Sequence, residues 1–183
     1  MFQLVTGLSS IPLRYCEAEP EIELAARLFE GFDLHIVGGI GSGKSTMACA
    51  ILKGVVELCP DLSIGYINAY DLHGIRIDQD GYRGQMEDLF NVDVLALDGI
   101  DIGLYGMDGY NILYRVLSRR YPVAKHTVTT SFYDGDDLAA RLSKQCGAEL
   151  ARAIVDRVRE LSETVHLHGL DRRLQERVER AVF

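Results

Sequence analysis

One eight-residue segment constrains the fold of this chain more than any other. Residues 38–45 read Gly-Gly-Ile-Gly-Ser-Gly-Lys-Ser, which satisfies the pattern G-x-x-x-x-G-K-[ST]. The preceding segment, 32–37, has the length and apolar character of a buried strand, and the segment after the loop carries apolar residues at helical spacing. Glycines between a strand and a helix let successive backbone N–H groups converge on an anion. The sequence therefore predicts a loop that holds the phosphates of a nucleoside triphosphate.

The same pattern gives each residue of the loop an expected role. Contacts to the nucleotide are predicted for Gly38, Gly39, Ile40, Gly41, Ser42, Gly43, Lys44, Ser45 and Thr46. The Lys44 ammonium is expected to reach the β- and γ-phosphates and to assist catalysis, and the Ser45 hydroxyl is expected to bind Mg²⁺. ATP and Mg²⁺ are thus the expected cofactors. The alternative is a glycine-rich turn with no ligand, because the chain contains 18 glycines.

A second apolar segment ends in an acid. Asp98 follows the run Leu-Ala-Leu at 95–97, an arrangement typical of the carboxylate that completes the Mg²⁺ shell in these proteins. An ordinary strand followed by a turn is the alternative. The next residue is Gly99, where an acid that polarises the attacking water is expected, and Asp101 follows two residues later. These residues account for nucleotide binding but leave hydrolysis open, and an acid introduced at position 99 is expected to raise turnover.

Strand-like and helix-like segments alternate along the chain. Strands are predicted at 33–37, 63–68, 92–97, 126–130 and 164–168, and helices near 20–30, 45–58, 84–90, 108–120, 136–143, 147–161 and 171–182. This alternation predicts an α/β fold of three layers around a mainly parallel five-stranded sheet. The 183 residues fit one domain. We expect a lead-in segment over 1–30 and an ATPase-type domain over 31–183 that closes with a short C-terminal helix.

Composition limits the compartment and the partners. No run approaches the roughly 20 apolar residues of a membrane span, and the first residues lack the basic start of a secretory signal. Four cysteines without a C-x-x-C pair suit a reducing compartment, so a cytoplasmic protein with no membrane partner is expected. The net charge of −8 argues against tight nonspecific DNA binding by a lone subunit.

A local basic cluster stands out against this acidity. It comprises Arg115, Arg119, Arg120 and Lys125, with Tyr114 and Tyr121 nearby. Basic side chains beside aromatic rings are typical of surfaces that follow single-stranded DNA. The alternative is a solvated or subunit-contact face.

Five segments, in chain order, resemble the motifs of one family. They are 11–18 (IPLRYCEA), 113–121 (LYRVLSRRY), 127–131 (TVTTS), 153–158 (AIVDRV) and 169–173 (GLDRR). Together with the phosphate loop they resemble the DnaC-type and IstB-type AAA+ ATPases, a family of helicase loaders and transposition helper proteins. The resemblance implies the AAA+ form of the P-loop fold. It also implies a replicative helicase as partner, action on single-stranded DNA, and assembly of several copies of the chain with ATP.

The resemblance also assigns two arginines. Arg157 would reach the γ-phosphate bound to a neighbouring subunit, and Arg173 would contact phosphate in its own subunit. Both are counted among the candidate catalytic residues with Lys44 and Asp98. The alternative for Arg157 is an exposed ion pair with Glu160 one helical turn away.

Two departures from the family pattern keep other functions open. Ser131, or Thr130, stands where the family has an asparagine that positions water, and only some 30 residues precede the first strand, too few for a helicase-binding domain. The expected function is an AAA+ protein of helicase-loader type, in which hydrolysis is slow. The alternatives are an ATP-dependent interaction module without hydrolysis and a small-molecule P-loop kinase.

Overall fold

A parallel five-stranded sheet lies at the centre of the molecule. The computed structural model describes residues 6–75, 82–103, 106–123 and 125–168. The strands are β1 (Asp33–Gly38), β2 (Ile64–Asn68), β3 (Val94–Asp98), β4 (His126–Ser131) and β5 (Ser162–Leu167). They pair in the order β2-β3-β4-β1-β5, and every pair is parallel. The predicted mainly parallel five-stranded sheet is confirmed.

Six α-helices flank the sheet within the described ranges. They are α1 (Ile22–Phe29), α2 (Lys44–Leu58), α3 (Tyr82–Asn91), α4 (Gly106–Arg120), α5 (Gly135–Cys146) and α6 (Ala148–Leu161). Each corresponds to a helix predicted from the sequence. The helix predicted over 171–182 lies outside the described residues. Within the described ranges, no helix is both long and apolar enough to cross a membrane.

The helices form one layer on each face of the sheet. On one face, α1 and α2 bury the side chains of Leu34, Ile36 and Ala96. On the other face, α3 to α6 cover Leu95 and Leu97. Because β3 is covered on both faces, it reads as a continuous apolar run rather than as an alternating pattern. The three-layer α/β architecture follows directly from this burial.

The lead-in segment packs against the sheet and α2. Gly7 donates its N–H to the carbonyl of Ile64 at 2.8 Å, and Thr6 forms an antiparallel bridge with Gly65 at the free edge of β2. Gly54 of α2 lies so close to this segment that an added Cβ would stand 2.4 Å from the carbonyl oxygen of Glu21. The boundary that we place at residue 30 stays a prediction.

Arg120 corrects one expectation about the basic cluster, because its side chain is fully buried rather than exposed. The guanidinium donates to five backbone carbonyls and one hydroxyl, those of Leu89, Phe90, Val92, Asp93, His126 and Thr127. Burial lowers its pKa to about 10, against the opposing charges of Asp33 and Asp93. Arg120 therefore joins the end of α4 to the turn before β3 and to the start of β4.

Lys125 also lies at the amino edge of the sheet, where the parallel strands begin, and not on an open surface. Its ammonium lies 2.5 Å from a carboxylate oxygen of Asp93. Burial would raise the pKa of Asp93, but hydrogen bonds from Lys125 and Ser63 lower it to about 2. Of the predicted basic cluster, only Arg115 and Arg119 are exposed.

Candidate nucleotide-binding site

The phosphate loop lies at the carboxyl edge of the sheet, between the end of β1 and the start of α2. Gly43 precedes the first helical residue with φ +93°, a backbone conformation that glycine adopts without strain. Gly38 has another requirement, because an added Cβ would stand 2.6 Å from Ser42 Oγ and 2.9 Å from the carbonyl oxygen of Leu167. At Gly39, by contrast, the same Cβ would meet no atom within 4 Å. Of these three glycines, Gly38 and Gly43 are required by geometry and Gly39 is not.

Lys44 extends from the first turn of α2 over this loop. Its Nζ donates to the carbonyl oxygens of Gly38 and Gly39, each at 2.8 Å, and lies 4.1 Å from the centre of the Phe132 ring. The ammonium is thus held over the loop, and its contact with the β- and γ-phosphates stays a prediction. Ser45, the next residue, is half-buried on the same turn and lines the same cleft.

Asp98 ends β3 and is held from both neighbouring strands. The hydroxyl of Tyr66, on β2, donates to Oδ2 at 2.6 Å, and the hydroxyl of Thr130, on β4, donates to Oδ1 at 2.6 Å. Burial and the adjacent Asp98 charge raise the pKa of Tyr66, so its hydroxyl stays protonated. The residue is 5% exposed, and these two bonds fix the orientation of its carboxylate.

The residue that follows Asp98, in the turn after β3, is a glycine and not the second acid that was expected there. Gly99 has φ +77° and donates its N–H to Thr130 Oγ1 at 2.8 Å, while the N–H of Ile100 donates to the Thr130 carbonyl at 3.0 Å. An added Cβ at position 99 would stand 2.9 Å from Cδ1 of Ile102. That an acid at position 99 raises turnover stays a prediction, and the left-handed backbone there makes any side chain at this position costly.

Asp101 is buried near the loop. Its Oδ2 accepts the N–H of Phe132 at 2.7 Å, and its Oδ1 has no hydrogen-bond partner in the described part of the chain. Burial raises the pKa of Asp101, and the charge of Lys44 opposes that rise. The side chain is 1% exposed, so it is closed off from solvent in this conformation.

Ser131 does not face the cleft, which settles which hydroxyl stands beside Asp98. Its Oγ donates to the carbonyl of Tyr133 and lies 3.2 Å from Nε2 of His35, on the opposite face of the sheet. Burial lowers the pKa of His35 to about 4, so the imidazole is neutral near pH 7. Of the two candidates left open by the sequence, Thr130 is the residue in contact with the acid.

The cleft as a whole has a volume of about 530 Å³, within the range of ligand sites. Five of its lining residues were not named as candidates, namely Arg14, Tyr15, Asn68, Ile102 and Phe132. The Arg14 guanidinium lies 4.5 Å from the centre of the Tyr15 ring. Both belong to the 11–18 motif, so a sequence signal for these two existed, whereas the register pairing of Asn68 with Asp98 is visible only in the structure.

Arg157 lies on α6, away from this cleft. It forms the ion pair with Glu160 that the sequence offered as its alternative, and its guanidinium lies 5.4 Å from the centre of the Tyr121 ring. Tyr121 precedes β4 at the amino edge, and the six residues of β1 separate the two edges by about 17 Å. A role toward a neighbour's nucleotide stays a prediction. Arg173 lies outside the described residues.

The strand order, the loop between β1 and α2, and the acid that ends β3 together define a P-loop domain of the AAA+ ATPase type. Residues 30–180 match the family model described as IstB-like ATP binding protein. The chain belongs to that family, as the resemblance of its motifs implied. A search of curated proteins found no match.

Solved structures are similar to this chain in fold. A crystal structure of DnaI has a TM-score of 0.68 at 19% identity, over 80% of this chain and 82% of that one. The DnaC helicase loader has a TM-score of 0.67 at 20% identity, over 86% and 100%. A putative primosome component from Streptococcus pyogenes serotype M3 has a TM-score of 0.65 at 21% identity, over 87% and 91%. At these identities the likeness establishes the AAA+ fold.

Proposed function

We propose that this chain binds ATP with Mg²⁺ and uses the bound nucleotide to assemble with copies of itself. We further propose that the assembly loads or remodels a replicative helicase on single-stranded DNA. The observation that carries the proposal is that the phosphate loop, Lys44, Ser45 and Asp98 line one cleft in a member of an ATP-binding family. The helicase role is supported by family membership and by likeness in fold to a DnaC helicase loader.

The donor set of the cleft fits a magnesium ion. Mg²⁺ takes hard oxygen ligands and is held by one or two protein groups together with phosphates and water. The Ser45 hydroxyl and the Asp98 carboxylate supply such oxygens within the same cleft. When bound, the ion would neutralise charge on the phosphates, and Lys44 would exchange its two loop carbonyls for phosphate oxygens.

Hydrolysis in this proposal is slow. The left-handed turn at Gly99 leaves no acid directly after Asp98, and Thr130 offers a hydroxyl where the family has an amide. Arg157 of a neighbouring copy would add positive charge to the transition state. The Gly99 turn also favours the second candidate function, an ATP-dependent interaction module that assembles without turnover.

A groove between α3 and α4 is the candidate surface for single-stranded DNA. It has a volume of about 730 Å³ and is lined by Arg83, Arg115, Arg119, Tyr82, Phe90 and Tyr114, among others. Arg115 donates to the Tyr82 hydroxyl at 2.7 Å, so a cation and an aromatic ring are held side by side. Arginines that follow a phosphate backbone beside rings that stack on bases are the features that single-strand binding uses.

Nucleotide binding is tested by titrating a fluorescent ATP analogue into the wild type and Lys44→Ala, with and without Mg²⁺, alongside steady-state turnover. We expect at least a hundredfold weaker binding in the variant with a circular dichroism spectrum unchanged, because Lys44 supplies the charge on the phosphates. Equal affinity in the two proteins would contradict the site. Binding without turnover, even with single-stranded DNA present, would favour the interaction module.

The DNA and helicase roles need separate measurements. Fluorescence anisotropy with a labelled oligo-dT should show weaker binding by Arg115→Ala and Arg119→Ala than by Arg152→Ala, an exposed arginine on α6, and binding should weaken with salt. ATP-dependent co-elution with the replicative helicase of the same organism tests the partner. No co-elution in any nucleotide state would reject the loader role while leaving ATP binding intact.

A further inference from the structure

We propose that Tyr66 is a positioning residue for the metal site, whose hydroxyl holds the Asp98 carboxylate in the orientation that accepts Mg²⁺. The proposal rests on the proposed function, since it presumes that Mg²⁺ and nucleotide bind in this cleft. No sequence motif pointed to Tyr66, which lies inside β2 rather than at the end of a strand.

The geometry around Asp98 carries the proposal. The acid ends β3, and the two strands that flank β3 each direct one hydroxyl to a different carboxylate oxygen, both at 2.6 Å. Each carboxylate oxygen can accept about two hydrogen bonds or metal contacts. One acceptor position on each oxygen is thus used by the protein, and the remaining positions are left in a fixed direction beside the cleft.

The two hydroxyls differ in what else they do. Thr130 Oγ1 also accepts the N–H of Gly99, so a change at Thr130 disturbs the turn as well as the acid. The Tyr66 hydroxyl has no hydrogen bond other than that to Asp98 in the described part of the chain. Removing the Tyr66 hydroxyl therefore tests the orientation of the carboxylate and leaves the turn unchanged.

The ring of Tyr66 is itself held in place from the mouth of the cleft. The Tyr15 ring lies 6.5 Å from it, centre to centre, and the Arg14 guanidinium covers Tyr15 in turn. Tyr66 also packs at the margin of the core between the sheet and α2. A phenol fixed in this way can direct a carboxylate, whereas a mobile one cannot.

The residue that follows Asp98 explains why Tyr66 matters in this chain. With Gly99 after it, Asp98 has no second acid beside it to share the metal and its water shell. Outer hydrogen bonds to metal-binding carboxylates typically change metal affinity about 10- to 100-fold when they are removed. We therefore expect Tyr66→Phe to weaken divalent-ion binding about tenfold or more without affecting nucleotide binding in the absence of metal.

The test uses Mn²⁺, which takes the same oxygen ligands as Mg²⁺ and is detected by electron paramagnetic resonance. Mn²⁺ is titrated into the full chain saturated with ADP, for the wild type, Tyr66→Phe and Tyr110→Phe. Tyr110 is the matched control, because it is a buried tyrosine whose hydroxyl donates to Gln145 at 2.7 Å, outside the cleft.

ADP affinity is measured in parallel with EDTA present. The ratio of ADP affinities with and without Mn²⁺ does not depend on the folded fraction of each variant.

The expected result is a Tyr66→Phe protein with normal ADP affinity in EDTA and at least tenfold weaker Mn²⁺ binding, while Tyr110→Phe matches the wild type. Mn²⁺ affinity within twofold of the wild type would overturn the role of Tyr66 but leave the proposed function standing. Equal losses with and without Mn²⁺ would also overturn it, since they would indicate a general change in the cleft. If the wild type itself bound ADP with no dependence on divalent ions, both proposals would fail.

Discussion

The two edges of the sheet carry similar residue types but differ in whether their buried polar groups have hydrogen-bond partners within the chain. At the amino edge, the buried Arg120 donates to five carbonyls, and Asp93 accepts from both Ser63 and Lys125. At the carboxyl edge, the buried Ser42 Oγ and Asp101 Oδ1 have no partner among the described residues. Buried polar groups without partners cost about 1–3 kcal/mol each. Arg120 and Asp93 thus find their partners within the chain, although Ser118 Oγ on α4 finds none among the described residues, whereas the carboxyl edge keeps unpartnered polar groups and left-handed glycines where a ligand is expected.

This comparison separates stability from function within one sheet. Changes at the amino edge should lower the free energy of unfolding and leave nucleotide affinity in the folded protein unaltered. Changes at the carboxyl edge should alter binding more than stability, and one of them should even stabilise the fold.

The largest effect is expected from Arg120→Met. Five carbonyls and one hydroxyl would lose their donor inside the protein, so the free energy of unfolding should fall by at least about 3 kcal/mol. Urea denaturation measures the loss. Arg119→Met, one residue earlier and exposed, is the matched control and should change stability by less than about 0.5 kcal/mol. Similar midpoints for the two variants would contradict the structural role of Arg120.

Gly38→Ala should produce the next largest effect, on binding. The added methyl would collide with Ser42 and with the Leu167 carbonyl, displacing the loop, so ATP affinity should fall at least about tenfold, or about 1.4 kcal/mol. Gly39→Ala places the same methyl in open space and should cause a much smaller loss. Calorimetric titration with ATP measures both, and equal losses would mean that the loop moves freely between the two positions.

Gly99→Ala and Gly99→Glu test the turn. A side chain at φ +77° costs about 1–2 kcal/mol, so both variants should melt several degrees below the wild type. If Gly99→Glu raises turnover, it should do so at the expense of stability, and adding Ile102→Ala should relieve the 2.9 Å contact but not the backbone strain. A gain in the single variant with no loss of melting temperature would show that the turn readily adopts another conformation.

The smallest effect should come from Asp101→Asn, and it should be stabilising. The amide oxygen keeps the bond from Phe132, and the buried charge is removed, so the protein should gain about 1 kcal/mol near pH 7. Because burial raises the pKa of Asp101 above its ordinary value of 3.8, the ionised form destabilises the wild type at pH values above the raised pKa. The advantage of the variant should therefore shrink as the pH falls toward 4. A constant difference in melting temperature across this range would exclude the charge as its cause.

The sequence predicted the parts of the site that the backbone determines. The strand before residues 38–43 and the helix after them were correct because glycine spacing and apolar periodicity specify them directly. The acid at the end of β3 was located because a strand buried on both faces reads as a continuous apolar run, and that run stops at residue 97.

Other features of the site depend on the direction in which each side chain points, and this direction changes from one residue to the next. Thr130 and Ser131 are adjacent on β4, so they face opposite sides of the sheet, and a shift of one residue exchanges their surroundings. Arg119 and Arg120 differ in the same way on α4, where one is exposed and the next fully buried. Neither charge counting nor motif spacing distinguishes such neighbours, and the contact of Tyr66 with Asp98 joins residues 32 positions apart.

The short antiparallel contact of Thr6 and Gly7 with β2 has a consequence for solubility. β2 is the outermost strand on its side of the sheet, and its unpaired backbone groups would otherwise present a template on which a strand of another molecule could be added. The lead-in segment occupies part of that template at Gly65 and at the Ile64 carbonyl. A chain shortened to begin at residue 12 should keep the phosphate loop and yet aggregate on concentration, because it would lose its protection against intermolecular strand pairing.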